Sequence, residues 1–111
     1  MQRNQESLID IANAIRRILR YTNGIDKLQL ELNDEKLSAI LYQITIIGEA
    51  TKRISQDFRS QHPARPWREM AGMRDVIVHE YDQLDLEIVW DVIANKLPEL
   101  ASLFDSLLEK M

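Results

Sequence analysis

The amino-acid sequence predicts an all-α protein, a compact up-down bundle of four to five helices. Apolar residues recur at helical spacing over most of the chain, with short polar or proline-containing breaks between the patterns. The composition, 45% hydrophobic and 29% charged, is poor in the Val, Thr and Gly mixture that is typical of sheet proteins. A length of 111 residues allows one hydrophobic core, so residues 1–111 are predicted to form a single domain.

The first half of the chain contains two predicted long helices. The first is expected from about Ser7 to Tyr21, and residues 22–24, Thr-Asn-Gly, end it. Residues 25–33 alternate leucine with polar residues and are interpreted as a connector. The longest helix is predicted from Lys36 through Phe58, and Gly48 within it indicates a close helix crossing.

The second half contains shorter elements. Residues 59–66 hold two prolines and are predicted to be a loop, followed by a short helix over residues 67–71. A helix over residues 74–81 comes next, then a turn and cap at residues 82–85 and a helix from Leu86. Pro98 is predicted to begin a last, separate helix.

Three aromatic side chains are open to more than one interpretation. His62, in a loop before proline, is expected to be solvent-exposed, with substrate contact as the alternative. Trp67 is expected to be a core or interface anchor, with stacking on a nucleic-acid base as the alternative. Trp90 is predicted to lie in the core.

Residues 74–81, Arg-Asp-Val-Ile-Val-His-Glu-Tyr, form the candidate active site. On a helix, Arg74, Asp75 and His79 share one face, while Met73, Val76 and Ile77 would pack on the core. Asp75 and His79 are four residues apart, so the carboxylate can orient the imidazole and raise its pKa for acid–base work. The planar cation of Arg74 can bind a phosphate oxygen at two points.

This set of side chains suits the cleavage of RNA, whose 2′-hydroxyl is a built-in nucleophile that needs no metal. One helix face is a flat platform, so we expect two copies to meet across a two-fold axis and build a cleft from both. The alternative is structural. Arg74 would then pair with a carboxylate across a dimer, His79 would be an interface histidine, and Tyr81 would be buried.

The motif resembles a known family. Arg74, four residues, His79, one residue and Tyr81 are similar to the signature of the HepT toxins, a branch of the HEPN superfamily of small helical ribonucleases. The resemblance continues in segments that lie in order along nearly the whole chain: Ile-Ile-Gly-Glu-Ala at 46–50, Pro-Trp-Arg at 66–68, Ala-Gly-Met at 71–73, Asp-Leu-Glu-Ile-Val-Trp at 85–90 and Leu-Pro at 97–98.

The resemblance implies a metal-independent RNA endonuclease, the toxin of a type VII-like toxin-antitoxin pair. Arg74 and His79 would be the ribonuclease pair, and Asp75 the polar residue that commonly follows the arginine. Tyr81 matches the tyrosine to which the family's antitoxin partner, the nucleotidyltransferase MntA, transfers AMP. The alternatives are a non-catalytic helical module that binds RNA or nucleotides, or a structural partner of a nucleotidyltransferase.

The charge distribution is uneven. The net charge is −4, yet residues 1–74 carry 12 Lys and Arg against 9 acidic residues, and residues 75–111 carry 2 against 9. Basic side chains before the motif, including Arg53, Arg65 and Arg68, are candidates to follow an RNA backbone, with a solvated surface as the alternative.

Other classes of site are not expected. The chain has no cysteine, no metal-ligand spacing, no glycine-rich phosphate loop and no nucleophile elbow, so neither a metal nor a cofactor is predicted. No apolar run reaches the roughly 18 residues of a membrane span, and a cytoplasmic protein is expected. The sequence leaves open whether the predicted dimer builds higher assemblies.

Overall fold

The computed structural model describes residues 2–79 and 83–110, with the backbone alone described for Gln2, Val78, His79 and Gln83. The elements in this part of the chain are α1 (Gln2–Thr22), α2 (Lys27–Glu31), α3 (Asp34–Lys52), α4 (Gln56–Gln61), α5 (Trp67–Ala71), α6 (Met73–Ile77), β1 (Val78–His79), β2 (Gln83–Leu84), α7 (Leu86–Asp91), a π-helical segment (Val92–Lys96) and α8 (Leu97–Glu109). The predicted all-α class is confirmed. The prediction of four to five helices treated α3 and α4 as one helix and did not include α2.

Helix α1 packs against both α3 and α8. Its buried side chains recur at helical spacing and include Leu8, Ile11, Ile15 and Ile18. The helix begins at Gln2, five residues before the predicted start, and the buried Asn4 in its first turn is bonded to Ser55, which precedes α4. The Asn4 amide donates to Ser55 Oγ at 3.0 Å, and the Ser55 N–H donates to Asn4 Oδ1 at 3.0 Å.

The prediction of one helix from Lys36 to Phe58 is wrong. Helix α3 ends at Lys52, and α4 begins at Gln56 with Ser55 as its N-cap. The Ser55 hydroxyl accepts a hydrogen bond from the Phe58 N–H at 3.2 Å. A serine hydroxyl satisfies the free amides at the start of a helix, so Ser55 begins a new helix instead of continuing the old one.

The predicted connector contains helix α2. Asp26 and Gln29 form a capping box, in which each backbone N–H donates to the other's side-chain oxygen at 2.8 Å. The spacing of an Asp and a Gln three residues apart is the signal that sequence reasoning missed. Leu30 is fully buried and anchors α2, whereas Leu28 and Leu32 are exposed.

Pro98 lies in the first turn of the last helix, α8, as predicted, but no loop separates this helix from α7. The run from Leu86 to Glu109 is continuous, and the π-helical segment just before Pro98 connects α7 to α8. In a regular α-helix the proline ring would clash with the carbonyl of the residue four positions earlier. The wider π turn, closed by the bond from the Leu97 N–H to the Val92 carbonyl, relieves this clash without a break.

Two further predictions in this region can be compared with the structure. Helix α5 spans Trp67–Ala71 as predicted, but α4 runs to Gln61, which restricts the predicted loop over residues 59–66 to residues 62–66. The close crossing expected at Gly48 is confirmed. A Cβ added to Gly48 would lie 3.4 Å from the carbonyl oxygen of Ala71 and 3.7 Å from that of Met70.

The close approach at Gly48 predicts a graded response to side-chain size. Gly48→Ala should change stability little, because a helix-propensity gain of about 1 kcal/mol offsets the tight contact with the Ala71 carbonyl. Gly48→Leu should lower the free energy of unfolding by roughly 1–3 kcal/mol, because it forces α5 away from α3. Urea unfolding measures both, with the exposed neighbour variant Glu49→Leu as the matched control. Equal midpoints for Gly48→Leu and Glu49→Leu would contradict the prediction.

Candidate active site

Helix α6 is attached to the bundle by two buried side chains, Met73 and Ile77, which are four residues apart. Ile77 joins a group that we call the apolar seam, which brings together α3, α6, β2 and α7 and is lined by Leu37, Ile40, Leu41, Ile44, Ile77, Leu84 and Val89. Arg74, Asp75 and Val76 lie on the exposed side of α6. Val76 was predicted to face the core, but it is 54% exposed.

The prediction of a helix over residues 74–81 is wrong at residues 78 and 79, and residues 80 and 81 lie outside the described part of the chain. Val78 and His79 form β1, which pairs antiparallel with β2 in the register Val78 to Leu84 and His79 to Gln83. The Asp85 N–H donates to the Ile77 carbonyl at 2.8 Å, which extends this pairing. Three consecutive β-branched residues, Val76, Ile77 and Val78, favour extended backbone over helix and are the sequence signal for the change.

The end of α6 changes the geometry of the motif. Residues that are four apart lie on one face only while the helix continues, so the predicted contact between Asp75 and His79 no longer follows from helical spacing. The backbone of His79 lies on β1. Tyr81, the predicted modification site, lies outside the described residues.

Three charged side chains near the motif are exposed: Arg68 on α5 and Arg74 and Asp75 on α6. Within residues 2–79 and 83–110, none of the three makes a hydrogen bond or an ion pair. An unpaired guanidinium group has its donors available for a phosphate. Of the predicted site residues, Arg74, Asp75 and Arg68 thus have exposed side chains without a partner in the described part of the chain.

The other basic candidates have partners within the protein. Arg53 pairs with Asp10 at 3.5 Å. Arg65 donates to the Leu103 carbonyl at 3.5 Å, and Arg59 donates to the Thr51 carbonyl at 2.6 Å. These contacts hold separate helices together, so binding RNA through Arg53 or Arg65 requires each side chain to leave its partner.

The aromatic side chains near the loop are structural. Trp67 is buried and packs edge-on against Phe104, with ring centroids 5.7 Å apart, which confirms its predicted role as a core anchor. The expectation that His62 is solvent-exposed is wrong: its ring is half-buried 4.4 Å from the Phe58 ring. Its carbonyl accepts a hydrogen bond from Trp67 Nε1 at 2.9 Å. Trp90 packs against the core but stays partly exposed.

Two residues position the motif from outside it. Gly48 sets the distance between α3 and α5, and α5 leads directly into α6. Asp85 was predicted to be a cap, and its carboxylate does cap α7 by accepting from the Ile88 N–H at 3.2 Å. Its backbone N–H binds Ile77. Asp85 therefore connects the end of α6 to the start of α7.

The residues that the structure describes contain neither a metal-ion cluster nor a membrane-spanning helix. They include no group of three or more His, Cys, Asp or Glu side chains arranged to hold a metal ion. None of their helices combines the length and the apolar character needed to cross a membrane.

Comparison with known proteins gives a consistent result. Residues 11–107 match the family described as "Ribonuclease HepT-like". A protein of Thermococcus cleftensis named "Probable ribonuclease HepT" is 36% identical over 104 residues, which cover 94% of each chain. A protein of Methanocaldococcus jannaschii named as a putative RNase is 33% identical over 91 residues, covering 82% of this chain and 75% of that protein. No solved structure gives a significant match.

The all-α fold and these matches place the protein in the class of small helical ribonucleases, which confirms the predicted enzyme class. Within that class, the chain belongs to the HepT-like ribonuclease family.

The double role of Asp85 leads to a prediction about stability. Asp85→Ala removes the N-cap of α7 and should lower the free energy of unfolding by about 1 kcal/mol. Asp85→Asn should retain most of the capping bond. The matched control is Asp26→Ala, which removes the N-cap of α2 at a distance from the motif in sequence. Urea unfolding measures the decrease in the free energy of unfolding for each variant. Faster amide hydrogen exchange at residues 84–88 in Asp85→Ala but not in Asp26→Ala is also expected, and equal exchange in the two would contradict the positioning role.

Proposed function

We propose that the protein is a metal-independent RNA endonuclease, the toxin of a type VII-like toxin-antitoxin pair, acting in the cytoplasm as a two-fold dimer. The observation that carries this proposal is that Arg74 and Asp75 are exposed on α6 and have no partner among residues 2–79 and 83–110, next to the strand that holds His79. Membership of the HepT-like family supports the choice of RNA as the substrate.

The proposed reaction uses the chemistry of the RNA itself. His79 removes the proton of the 2′-hydroxyl or protonates the leaving 5′-oxygen, and Arg74 binds the scissile phosphate and stabilises its growing negative charge. The 2′-oxygen forms a bond to phosphorus while the bond from phosphorus to the 5′-oxygen breaks. Asp75 is proposed to orient the imidazole of a His79, and the cleft between two protomers removes the need for helical spacing within one chain.

The surface around α6 supports the pairing of two copies. Val76 is 54% exposed on α6, beside the exposed Arg74 and Asp75. An apolar side chain in contact with water at this position suits a surface that another copy covers. A second copy placed here would cover Val76 and would bring a second Arg74 and a second His79 to the site.

The proposed path for RNA to the cleft includes Arg53, Arg65 and Arg68. Arg68 is the best placed of the three because it is exposed and makes no ion pair in the described part of the chain. Each cation that contacts a phosphate adds to the salt dependence of RNA binding. Arg53 and Arg65 would contribute only after they exchange their internal partners for phosphate.

The sharpest test of the shared site mixes two inactive variants. Arg74→Ala and His79→Ala should each lower RNA cleavage at least about 100-fold in the presence of a chelator. After mixing and subunit exchange, a mixed dimer holds one intact Arg74 and one intact His79 on different chains. Activity should therefore return if the two residues act across the dimer. Cleavage of a fluorescent RNA measures all samples. Arg16→Ala is the control that keeps activity, because it removes an exposed arginine of α1 that lies outside the proposed RNA path.

The outcomes distinguish the alternatives. Equal residual cleavage in the wild type and both single variants would mean contamination and would overturn the enzyme assignment. Loss of cleavage without recovery in the mixture would overturn the shared site. RNA binding without any cleavage would favour the non-catalytic module, and absence of both would favour a structural partner of a nucleotidyltransferase.

The proposed control of this activity is AMP transfer to Tyr81 by an MntA-like nucleotidyltransferase. The Tyr81 oxygen would attack the α-phosphorus of ATP, pyrophosphate would leave, and the phenolic proton would pass to a base. Tyr81 follows His79 by two residues, so the new phosphodiester would add negative charge and bulk close in sequence to the catalytic pair. It would compete with RNA for Arg74.

Intact-mass measurement tests this modification. After incubation with the cognate nucleotidyltransferase and ATP, the wild-type chain should gain the mass of one or more adenylyl groups and lose cleavage activity. Tyr81→Phe should gain nothing. Tyr42→Phe is the matched control, because it removes a tyrosine that is 65% exposed elsewhere, and it should be modified like the wild type. Modification of Tyr81→Phe would contradict the assignment.

A further inference from the structure

Helix α2 holds two leucines in contact with water. Leu28 is 61% exposed and Leu32 is 79% exposed, and they lie four residues apart on the same side of the helix. The helix is fixed in place by the buried Leu30, by its capping box, and by an ion pair between Lys27 and Glu87. The two leucines are therefore a defined surface on a fixed element, which is typical of an interaction site.

The leucines are flanked by negative charge. Glu31, Asp34 and Glu35 are exposed, and none of them forms an ion pair with any residue that the structure describes. We call these acids together with Leu28 and Leu32 the α2 face. A surface of this sign repels RNA and anionic lipid, so its occupant must combine apolar contact with positive charge.

The end of α1 carries that positive charge. Arg17 and Arg20 are exposed, and within the described residues neither pairs with an acid. The Arg20 guanidinium lies 5.7 Å from the centroid of the half-buried Tyr21 ring, which adds an aromatic surface. Only residues 23–26 separate α1 from α2. The basic and acidic surfaces therefore lie on consecutive elements at one end of α1.

We propose that the α2 face and the end of α1 form a second two-fold interface between copies of this chain, distinct from the pairing through α6. A two-fold axis makes each contact twice, so the α2 face of one protomer meets Arg17 and Arg20 of the other in both directions. Two leucines per protomer fall short of the roughly 800 Å² per partner that a stable complex buries. The association is therefore concentration-dependent and weakens as salt increases. With both interfaces in use and their two-fold axes at right angles, four copies close into a tetramer.

Sedimentation of the purified protein over a wide concentration range tests the leucines. The mass of the wild-type assembly should rise with concentration until it is twice the mass of the Leu28→Glu/Leu32→Glu assembly. Each chain contributes 13.0 kDa. Both leucines are exposed, so circular dichroism should show an unchanged fold. Ile9→Glu, which adds a carboxylate to α1 more than two turns before Arg17, is the matched control and should associate like the wild type. The same mass for the wild type and the leucine variant at all concentrations would overturn the proposal.

A charge exchange tests the partner surface. Arg17→Glu/Arg20→Glu and Glu31→Arg/Glu35→Arg should each weaken association about tenfold or more, because like charges then face each other. In a mixture of the two variants, both contacts of the two-fold pair again join opposite charges, and association should return. Absence of this recovery would overturn the proposal.

The inference stands apart from the proposed function. Cleavage of RNA by Leu28→Glu/Leu32→Glu should equal that of the wild type at concentrations where the second interface is dissociated. If the enzyme assignment fails, no variant cleaves RNA but the differences in mass persist. If the α2 interface fails, the masses coincide while cleavage remains.

Discussion

The position of the chain that leads into α6 depends on the close contact between Gly48 in α3 and the backbone carbonyls of α5. A Cβ at residue 48 would lie 3.4 Å from the Ala71 oxygen, so α5 lies directly against the α3 backbone with no side chain between them. Only Gly72 separates α5 from α6, which means that the location of α5 fixes where α6 begins. Met73 and Ile77 are then close enough to be buried, and Arg74 is left on the outside. Arg74 is thus exposed because Met73 and Ile77, on the opposite side of α6, pack against the bundle.

The two proposed catalytic residues are held by different elements. Arg74 belongs to a helix whose position is set by α3, whereas His79 belongs to a strand that is paired with β2. The bond between the Asp85 N–H and the Ile77 carbonyl joins these two supports at the residue where the helix ends. At Ile77 the backbone changes from helix, in which side chains repeat every 3.6 residues, to strand, in which they alternate every two residues. The relative orientation of Arg74 and His79 therefore depends on the hairpin as much as on the helix.

The sequence was sufficient to predict elements that follow from the spacing of apolar residues. It was insufficient where a cap or a contact with a distant residue overrides that spacing. The apolar spacing of α1 and the bounds of α5 followed from local pattern, and Gly48 correctly indicated a close crossing. The apolar spacing from Lys36 to Phe58 also continued without interruption, yet Ser55 begins a new helix because its hydroxyl caps α4 and its backbone binds Asn4, 51 residues away in sequence. The proline at 98 was expected to start a helix, and it lies in the first turn of α8, but a π turn joins that helix to α7 without a loop. In the motif, Arg74 and Asp75 share the exposed side of α6, but the helix does not extend to His79. Pairing with a later segment of the chain decides the backbone conformation of residues 78 and 79.

The distribution of charge gives an acidic protein a means to direct RNA. Most of the basic side chains that sequence reasoning placed along the RNA path are engaged internally, which leaves Arg68 and Arg74 as the unpaired cations among those candidates in the described residues. Two cations are few for a polyanionic substrate, since each phosphate contact contributes only part of the affinity. The proposed pairing of two protomers through α6 would double the number without any change in the net charge per chain. The α2 face has the opposite sign and repels the same substrate, so the surface through which copies would associate further is one that RNA does not compete for. One chain can in this way keep substrate binding and further assembly on separate surfaces by charge alone.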